Sequence, residues 1–144
     1  STDHKLRSVA VAAIKRKWRS DHASTHTRFY EHEEASAVSG IPTSLELNDA
    51  ELPIASCFFD PANWTLITTR RVIGDLDNTR RSVALQDIAE HRWGDFKGYG
   101  GATTRMTLTS LSGAPYEFAA EAGEHSMIWI YAIMTAVRRS QPAQ

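Results

Sequence analysis

This sequence of 144 residues has one cysteine, no long apolar run and almost no net charge. The single cysteine, Cys57, can form neither an internal disulfide nor a zinc site built from paired cysteines. The longest apolar stretch, residues 127–137, has eleven residues, whereas a membrane-spanning helix needs ~18–20. We therefore expect no stable membrane insertion, and the one unpaired thiol favours the reducing cytoplasm.

The charges nearly balance, with sixteen Lys and Arg against seventeen Asp and Glu. This balance gives no basic field that would favour nucleic acid as a partner. Residues 1–20 nonetheless carry six basic side chains, and residues 31–60 have no Lys or Arg. The acids of the second segment are Glu31, Glu33, Glu34, Glu46, Asp49, Glu51 and Asp60. Two interpretations stay open: two solvated faces that attract one another after folding, or an acidic surface that engages a basic partner.

Apolar spacing predicts a helix at each end of the chain. Apolar residues recur at helical intervals over residues 4–20 and again over residues 124–139. The second segment ends in Arg138 and Arg139, which suits the negative end of the helix dipole.

Residues 31–38 predict a second short helix, because Gly40 and Pro42 follow as helix-stop signals. Phe29 and Tyr30, just before this segment, also suit a strand.

The middle of the chain predicts short strands separated by turns, from its alternating or β-branched composition. The predicted strands are residues 43–47, 52–59 and 64–73, then residues 82–93, which start as a strand with Val83 and Leu85, and finally 103–111 and 115–121. The run 52–59 is almost wholly apolar, which is typical of a strand covered on both faces. The last two strands are expected to form a hairpin, and residues 74–78 a turn.

These elements predict one α+β domain over residues 1–144. Residues 1–40 are expected to form a helical N-terminal extension. Residues 41–140 are expected to form a small bent antiparallel β-barrel or sandwich capped by the C-terminal α-helix. A strongly bent small sheet leaves core side chains exposed at its mouth, and an amphipathic helix can cover them.

Residues 64–73, Trp-Thr-Leu-Ile-Thr-Thr-Arg-Arg-Val-Ile, resemble a strand of bacterial pleckstrin-homology-like (PH-like) domains. Residues 83–88, Val-Ala-Leu-Gln-Asp-Ile, are similar to the next strand of that family, and the helix containing Trp129 is similar to its closing helix. The resemblance implies a PH-like fold and a binding platform rather than an enzyme.

The best-known ligands of that family are phosphoinositides, held by clustered Lys and Arg in the loop that joins the first two strands. The stretch taken to correspond, residues 47–59, contains Asn48, Asp49 and Glu51 but no basic residue. A phosphate would meet carboxylates where it needs cations, so phosphoinositide binding is not expected.

A second resemblance rests on residues 41–42, 51–54 and 64–73 together with Gly-Asp-Phe-Lys-Gly at 94–98. This block is similar to small bacterial proteins encoded beside secreted toxins, which act as immunity partners. The resemblance implies a non-catalytic protein that binds a cognate bacterial toxin and occludes its active site.

The sequence offers little for catalysis or metal binding. His22 and His26 are four residues apart, as zinc ligands on a helix often are, but no HExxH motif accompanies them. A Gly-x-Ser-x-Gly elbow is absent, and Cys57 lies in an apolar run where a thiol is a poor nucleophile. We expect no catalytic residues, no metal and no cofactor.

Aromatic and charged side chains cluster around the glycines of residues 92–101. Trp, Tyr and Arg are enriched at interface hot spots, so this segment is a candidate contact loop. Trp93 and Phe96 suit either contact or core. The predicted partner-binding residues are Arg92, Asp95, Lys97 and Tyr99, joined with Glu31, Glu33, Glu34, Glu46, Asp49 and Glu51.

The alternative function is a PH-like adaptor that binds a peptide, or a lipid or membrane surface through the basic helix of residues 4–20. The same helix can instead dock its apolar stripe on the core. Self-association into a homodimer also stays open.

Overall fold

The computed structural model describes residues 2–18, 26–32, 38 and 45–141. These residues form two α-helices and eight strands. In chain order the elements are α1 (Thr2–Lys17), β1 (Thr27–Phe29), β2 (Pro53–Asp60), β3 (Asn63–Thr68), β4 (Arg71–Leu76), β5 (Thr79–Ala84), a 3-10 helix (Leu85–Asp87), β6 (Ile88–Arg92), β7 (Thr103–Ser110), β8 (Pro115–Glu121), a second 3-10 helix (Gly123–His125) and α2 (Ser126–Ser140).

The strands form two antiparallel meanders. The first has the order β1-β2-β3-β4-β5, and the second has the order β6-β7-β8. No strand ladder joins the two sheets within the described part of the chain, so they are sandwich-like and not a closed barrel. The predicted α+β fold of antiparallel strands with a C-terminal helix is confirmed, but barrel closure is not observed.

Helix α2 supplies the centre of the main core. Its Trp129 and Ile133 are fully buried, together with Ile67 of the first sheet and Met106 of the second. Burying a large apolar side chain stabilises the fold by about 1.5–3 kcal/mol. The predicted helix over residues 124–139 is confirmed, with its first residues in the 3-10 turn that precedes α2.

Helix α1 packs on α2 and runs antiparallel to it. Ala10 and Ile14 are fully buried at this contact, and Lys17 Nζ lies 5.9 Å from the ring centroid of Tyr131. The helix predicted near residues 4–20 is confirmed, and its apolar stripe is docked on the core rather than left exposed.

The outer face of the first sheet carries a second apolar cluster of Trp64, Leu66 and Ile73. Leu66 belongs to this cluster and Ile67 to the main core, because successive side chains of a strand point to opposite faces. Val38, Leu45 and Leu47 pack on the second cluster. The first sheet is therefore covered on both sides.

The single strand predicted over residues 64–73 is wrong, because the chain reverses within it to form β3 and β4. The hydroxyl of Thr68 accepts hydrogen bonds from the backbone N–H groups of Arg70 and Arg71, both at 3.1 Å. A threonine side chain thus makes the turn, without glycine, proline or asparagine.

The expected helical extension over residues 1–40 is not helical throughout. Thr27–Phe29 forms the edge strand β1, which pairs with β2. The second short helix predicted over residues 31–38 falls largely on residues 33–37, outside the described residues.

Two further strand predictions need correction. In the stretch predicted as strand 43–47, residues 45–47 have no regular structure, and residues 43–44 lie outside the described part. Leu85, predicted in a strand, begins a 3-10 helix instead. The hairpin of β7 and β8 is confirmed.

Candidate functional site

The connection between β6 and β7, residues 93–102, is the candidate site, and we call it the 93–102 loop. The carboxylate of Asp95 accepts hydrogen bonds from the backbone N–H of Tyr99 at 3.2 Å and of Gly100 at 2.6 Å. The Asp95 carbonyl accepts a third from Gly98 N–H at 3.0 Å. One residue, through its carboxylate and its carbonyl, therefore organises the backbone of half the loop.

The base of the loop is attached to its surroundings on both sides. Gly123 N–H donates to the carbonyl of Phe96 at 2.7 Å, and the Thr104 hydroxyl donates to the carbonyl of Trp93 at 3.4 Å. Gly98 has φ +81°, in the left-handed region that favours glycine. The segment predicted as a contact loop is thus held in place by hydrogen bonds.

The structure divides the aromatic and charged residues of this segment into two groups. Trp93 and Phe96 are half-buried, whereas Arg92, Lys97 and Tyr99 are exposed. Tyr99 is 87% exposed, the most exposed large apolar side chain in the described part of the chain. An aromatic side chain in water on an ordered loop is typical of a contact residue.

Trp93 is fixed by a neighbour in β6. Its Nε1–H donates to His91 Nδ1 at 3.0 Å, which requires that nitrogen to be unprotonated. Burial lowers the pKa of His91 and so favours this neutral, accepting form.

Glu51 is not at the surface. It is 2% exposed, and Arg71 Nε donates to its Oε2 at 3.0 Å. The hydroxyl of Thr68 donates to the same carboxylate, and the backbone N–H of Asn48 donates to Oε1 at 3.1 Å. Glu51 therefore anchors the chain before β2 to the β3–β4 turn, and its place on the predicted partner-binding surface is corrected.

The other predicted acidic contacts differ in their surroundings. Glu31 is half-buried and forms an ion pair with Lys15 of α1. Glu46 and Asp49 are exposed. Glu33 and Glu34 lie outside the described residues.

The exposed acidic residues and the 93–102 loop lie at opposite ends of the first sheet. The carbonyl of Glu46 accepts from Arg71 Nη2 at 2.9 Å, at the start of β4. The loop packs near Arg105, whose Nη2 lies 3.3 Å from Asp77 Oδ2, just beyond the end of β4. A strand of this length spans about 17 Å. The two predicted contact regions are therefore separated by about one strand length, and the expectation that one partner covers both stays a prediction.

A polar groove next to the loop was not predicted from the sequence. It lies between the sheets and is lined in part by Asp60, Asn63, Asp77 and Arg105. In an antiparallel meander, alternate turns lie at the same end of the sheet. The polar residues of the β2–β3 and β4–β5 turns could therefore have indicated that a polar site forms there. The turn predicted over residues 74–78 is correct for Asp77, but Asp75 is buried in β4.

The stretch taken to correspond to the phosphoinositide-binding loop, residues 47–59, is a loop only up to residue 52. Residues 53–59 lie in β2, and the connection from β2 to β3 is Pro61-Ala62. This connection contains no basic residue.

Of the residues considered for metal binding and nucleophilic chemistry, His26 and Cys57 lie in the described part of the chain. His26 Nδ1 lies 3.1 Å from the carbonyl of Phe58, and His22 is outside the described residues. Within the described ranges, no group of three or more His, Cys, Asp or Glu side chains is placed to hold a metal ion. Burial raises the pKa of the Cys57 thiol to about 12, and the charge of Glu121 adds to this effect.

No helix in the described ranges is long and apolar enough to cross a membrane. Comparison of the chain with protein-family models, curated proteins and solved structures gives no match. The chain is thus an α+β protein of two antiparallel sheets, distinguished by an ordered loop with an exposed tyrosine.

Proposed function

We propose that this protein is a non-catalytic protein-binding module whose partner contacts the 93–102 loop. The observation that carries the proposal is that Tyr99 is 87% exposed on a loop whose backbone is held by Asp95. A loop that is ordered before binding loses less conformational entropy on association. Tyrosine is also among the residues most enriched at binding hot spots.

The architecture proposed for this module is PH-like. Support comes from the order of its elements, two antiparallel meanders followed by the closing helix α2. Residues 64–73, which carried the resemblance in the sequence, form a hairpin instead of one strand, so they add less support than the order of elements does.

The biological role we propose is that of an immunity protein, which binds a cognate bacterial toxin and occludes its active site. Inhibition by occlusion requires no chemistry, only a well-packed interface. A standard interface buries about 800 Å² on each partner. This is about a tenth of the 7819 Å² surface of the chain.

The membrane-adaptor alternative loses its main support. A helix that lies on a membrane needs a free apolar face. The apolar residues of α1, including Ala10 and Ile14, are instead buried against the core.

The test is co-expression of the tagged protein with the toxin domain encoded beside its gene. The expected result is a stable complex that survives purification and restores growth of cells producing the toxin. The variant Leu111→Ala, which truncates an exposed apolar side chain in the β7–β8 turn, should behave like the wild type. Absence of both the complex and the protection would overturn the immunity role.

A further inference from the structure

A groove opens between the two sheets beside the 93–102 loop, with a volume of about 370 Å³. This volume lies within the range of small-ligand sites, ~300–1,000 Å³. Phe59, Leu76 and Ala119 give the groove apolar walls, while Thr103 and Thr104 connect it to the end of the loop. Gly94 of the loop also lies against Thr104 and Arg105, so the groove adjoins the surface that a partner of the loop would cover.

The rim of the groove has two carboxylates, because hydrogen bonds of Asn63 hold the β2–β3 and β4–β5 turns next to each other. The amide of Asn63 donates from Nδ2 to Asp60 Oδ1 at 3.2 Å, and its Oδ1 accepts from the backbone N–H of Asp77 at 2.9 Å. One asparagine therefore brings the β2–β3 and β4–β5 turns together, with a carboxylate on each.

Arg105 supplies positive charge at this rim, but its guanidinium lies near two carboxylates, those of Asp77 and Glu117. Its Nη2 lies 3.3 Å from Asp77 Oδ2, and its Nη1 lies 3.5 Å from Glu117 Oε2. Of the charged side chains that line the groove, two are carboxylates, Asp60 and Asp77, and one is the guanidinium of Arg105. The lining therefore carries one net negative charge.

We propose that this groove receives an arginine side chain of the protein that binds the 93–102 loop, an inference that rests on the proposed function. The apolar walls accommodate the aliphatic stem of an arginine, and the carboxylates of Asp60 and Asp77 accept from its guanidinium. Arginine fits better than lysine because its planar group donates to two acceptors at once and stacks on an aromatic ring such as Phe59.

The first test uses the protein alone, isotopically labelled for NMR and titrated with N-acetylarginine methylamide. The expected result is weak, saturable binding, with amide shift changes at Asn63, Leu76 and Thr104. The citrulline analogue, which has nearly the same shape but no charge, should cause no such changes. Shift changes that are absent, scattered over the surface or equal for both probes would overturn the proposal.

The variant Asp60→Asn/Asp77→Asn should weaken binding of the arginine probe about fivefold, as expected for solvent-exposed ion pairs. Asparagine suits both turns, since the backbone of Asp77, with φ +51°, lies in the left-handed region that asparagine tolerates. The control Asp87→Asn/Glu90→Gln removes the same charge from exposed sites that do not line the groove and should leave binding unchanged.

The two proposals can fail separately. If the toxin binds the wild type and the Asp60→Asn/Asp77→Asn variant equally well, the arginine site is wrong while the binding function stands. If the probe binds the groove but no toxin copurifies, the immunity role is wrong.

Discussion

The carboxylate of Asp95 accepts a hydrogen bond of 2.6 Å from the backbone N–H of Gly100. Together with the bond from Tyr99 N–H, this contact closes the 93–102 loop at its exposed tyrosine. Backbone groups within the loop are paired by these bonds, and the tyrosine side chain is left exposed to solvent. The binding proposal depends on this division between an ordered backbone and a free aromatic ring.

Replacing Asp95 with alanine should loosen the loop without unfolding the protein. A hydrogen bond to a charged group is worth about 1.5 kcal/mol, so exchange of the Tyr99 and Gly100 amide hydrogens should become about tenfold faster. Hydrogen exchange followed by NMR measures this rate residue by residue. Asp49→Ala, at an exposed turn, serves as the control. Unchanged exchange at both amides would show that Asp95 does not hold the loop.

Replacing Glu51 with alanine should lower the free energy of unfolding by about 3 kcal/mol, because it leaves Arg71 and Thr68 without their buried partner. Urea denaturation measures the change. The exposed Glu46→Ala should stay within about 0.5 kcal/mol of the wild type.

The same variant separates a structural role of Glu51 from a binding role. Where Glu51→Ala remains folded, its affinity for the partner should equal that of the wild type. If Glu51→Ala instead binds the partner more weakly while its free energy of unfolding equals that of the wild type, Glu51 belongs to the interface.

Elements with a regular apolar spacing were predictable from the sequence. The helices α1 and α2 and the β7–β8 hairpin follow from periodicity because each buries one face on a common core. The β3–β4 turn was not predictable in this way, since its reversal depends on the Thr68 hydroxyl within a continuous β-branched run. Strand propensity is high on both sides of that turn, so composition gives no sign of the break.

The candidate site was predictable only in part. Composition identified the glycine-rich and aromatic segment, and Tyr99 is indeed exposed. Charge counted along the chain could not show that Glu51 is buried by Arg71, nor that Glu46 lies at the far end of β4 from the loop. Those facts depend on strand direction and register, which bring together residues distant in sequence.

The N-terminal helix should contribute a pH-dependent part of the stability through Asp3. Burial acts to raise the pKa of Asp3, but hydrogen bonds from Arg70 and Thr69 and the charge of Arg70 together hold it below its ordinary value of 3.8. A carboxyl whose pKa is lower in the folded state stabilises the protein above the unfolded-state pKa. That contribution is lost as the pH falls through the folded-state pKa.

Urea denaturation of the wild type and Asp3→Asn at several pH values measures this contribution. The difference in free energy of unfolding should be constant from pH 7 to about 5 and should shrink below about pH 4. A difference of the same size at pH 7 and pH 3 would contradict the ion-pair account.

Cys57 should be unreactive in the folded protein, because it is fully buried and burial raises its thiol pKa to about 12. Only the thiolate reacts with disulfide reagents. Labelling with an aromatic disulfide at pH 8 should therefore be slow in buffer and complete in concentrated urea. Rapid labelling of the folded protein would show that the thiol is accessible, contrary to the packing of β2.

The central claim, that Tyr99 on the ordered 93–102 loop binds a protein partner, is tested most directly by calorimetric titration of the toxin domain with three forms of this protein. Tyr99→Ala should weaken binding at least tenfold, a loss of about 1.4 kcal/mol or more, while thermal stability stays that of the wild type. Leu111→Ala, which truncates a side chain that is 67% exposed away from the loop, should bind as the wild type does. Equal affinity of Tyr99→Ala and wild type would contradict the claim.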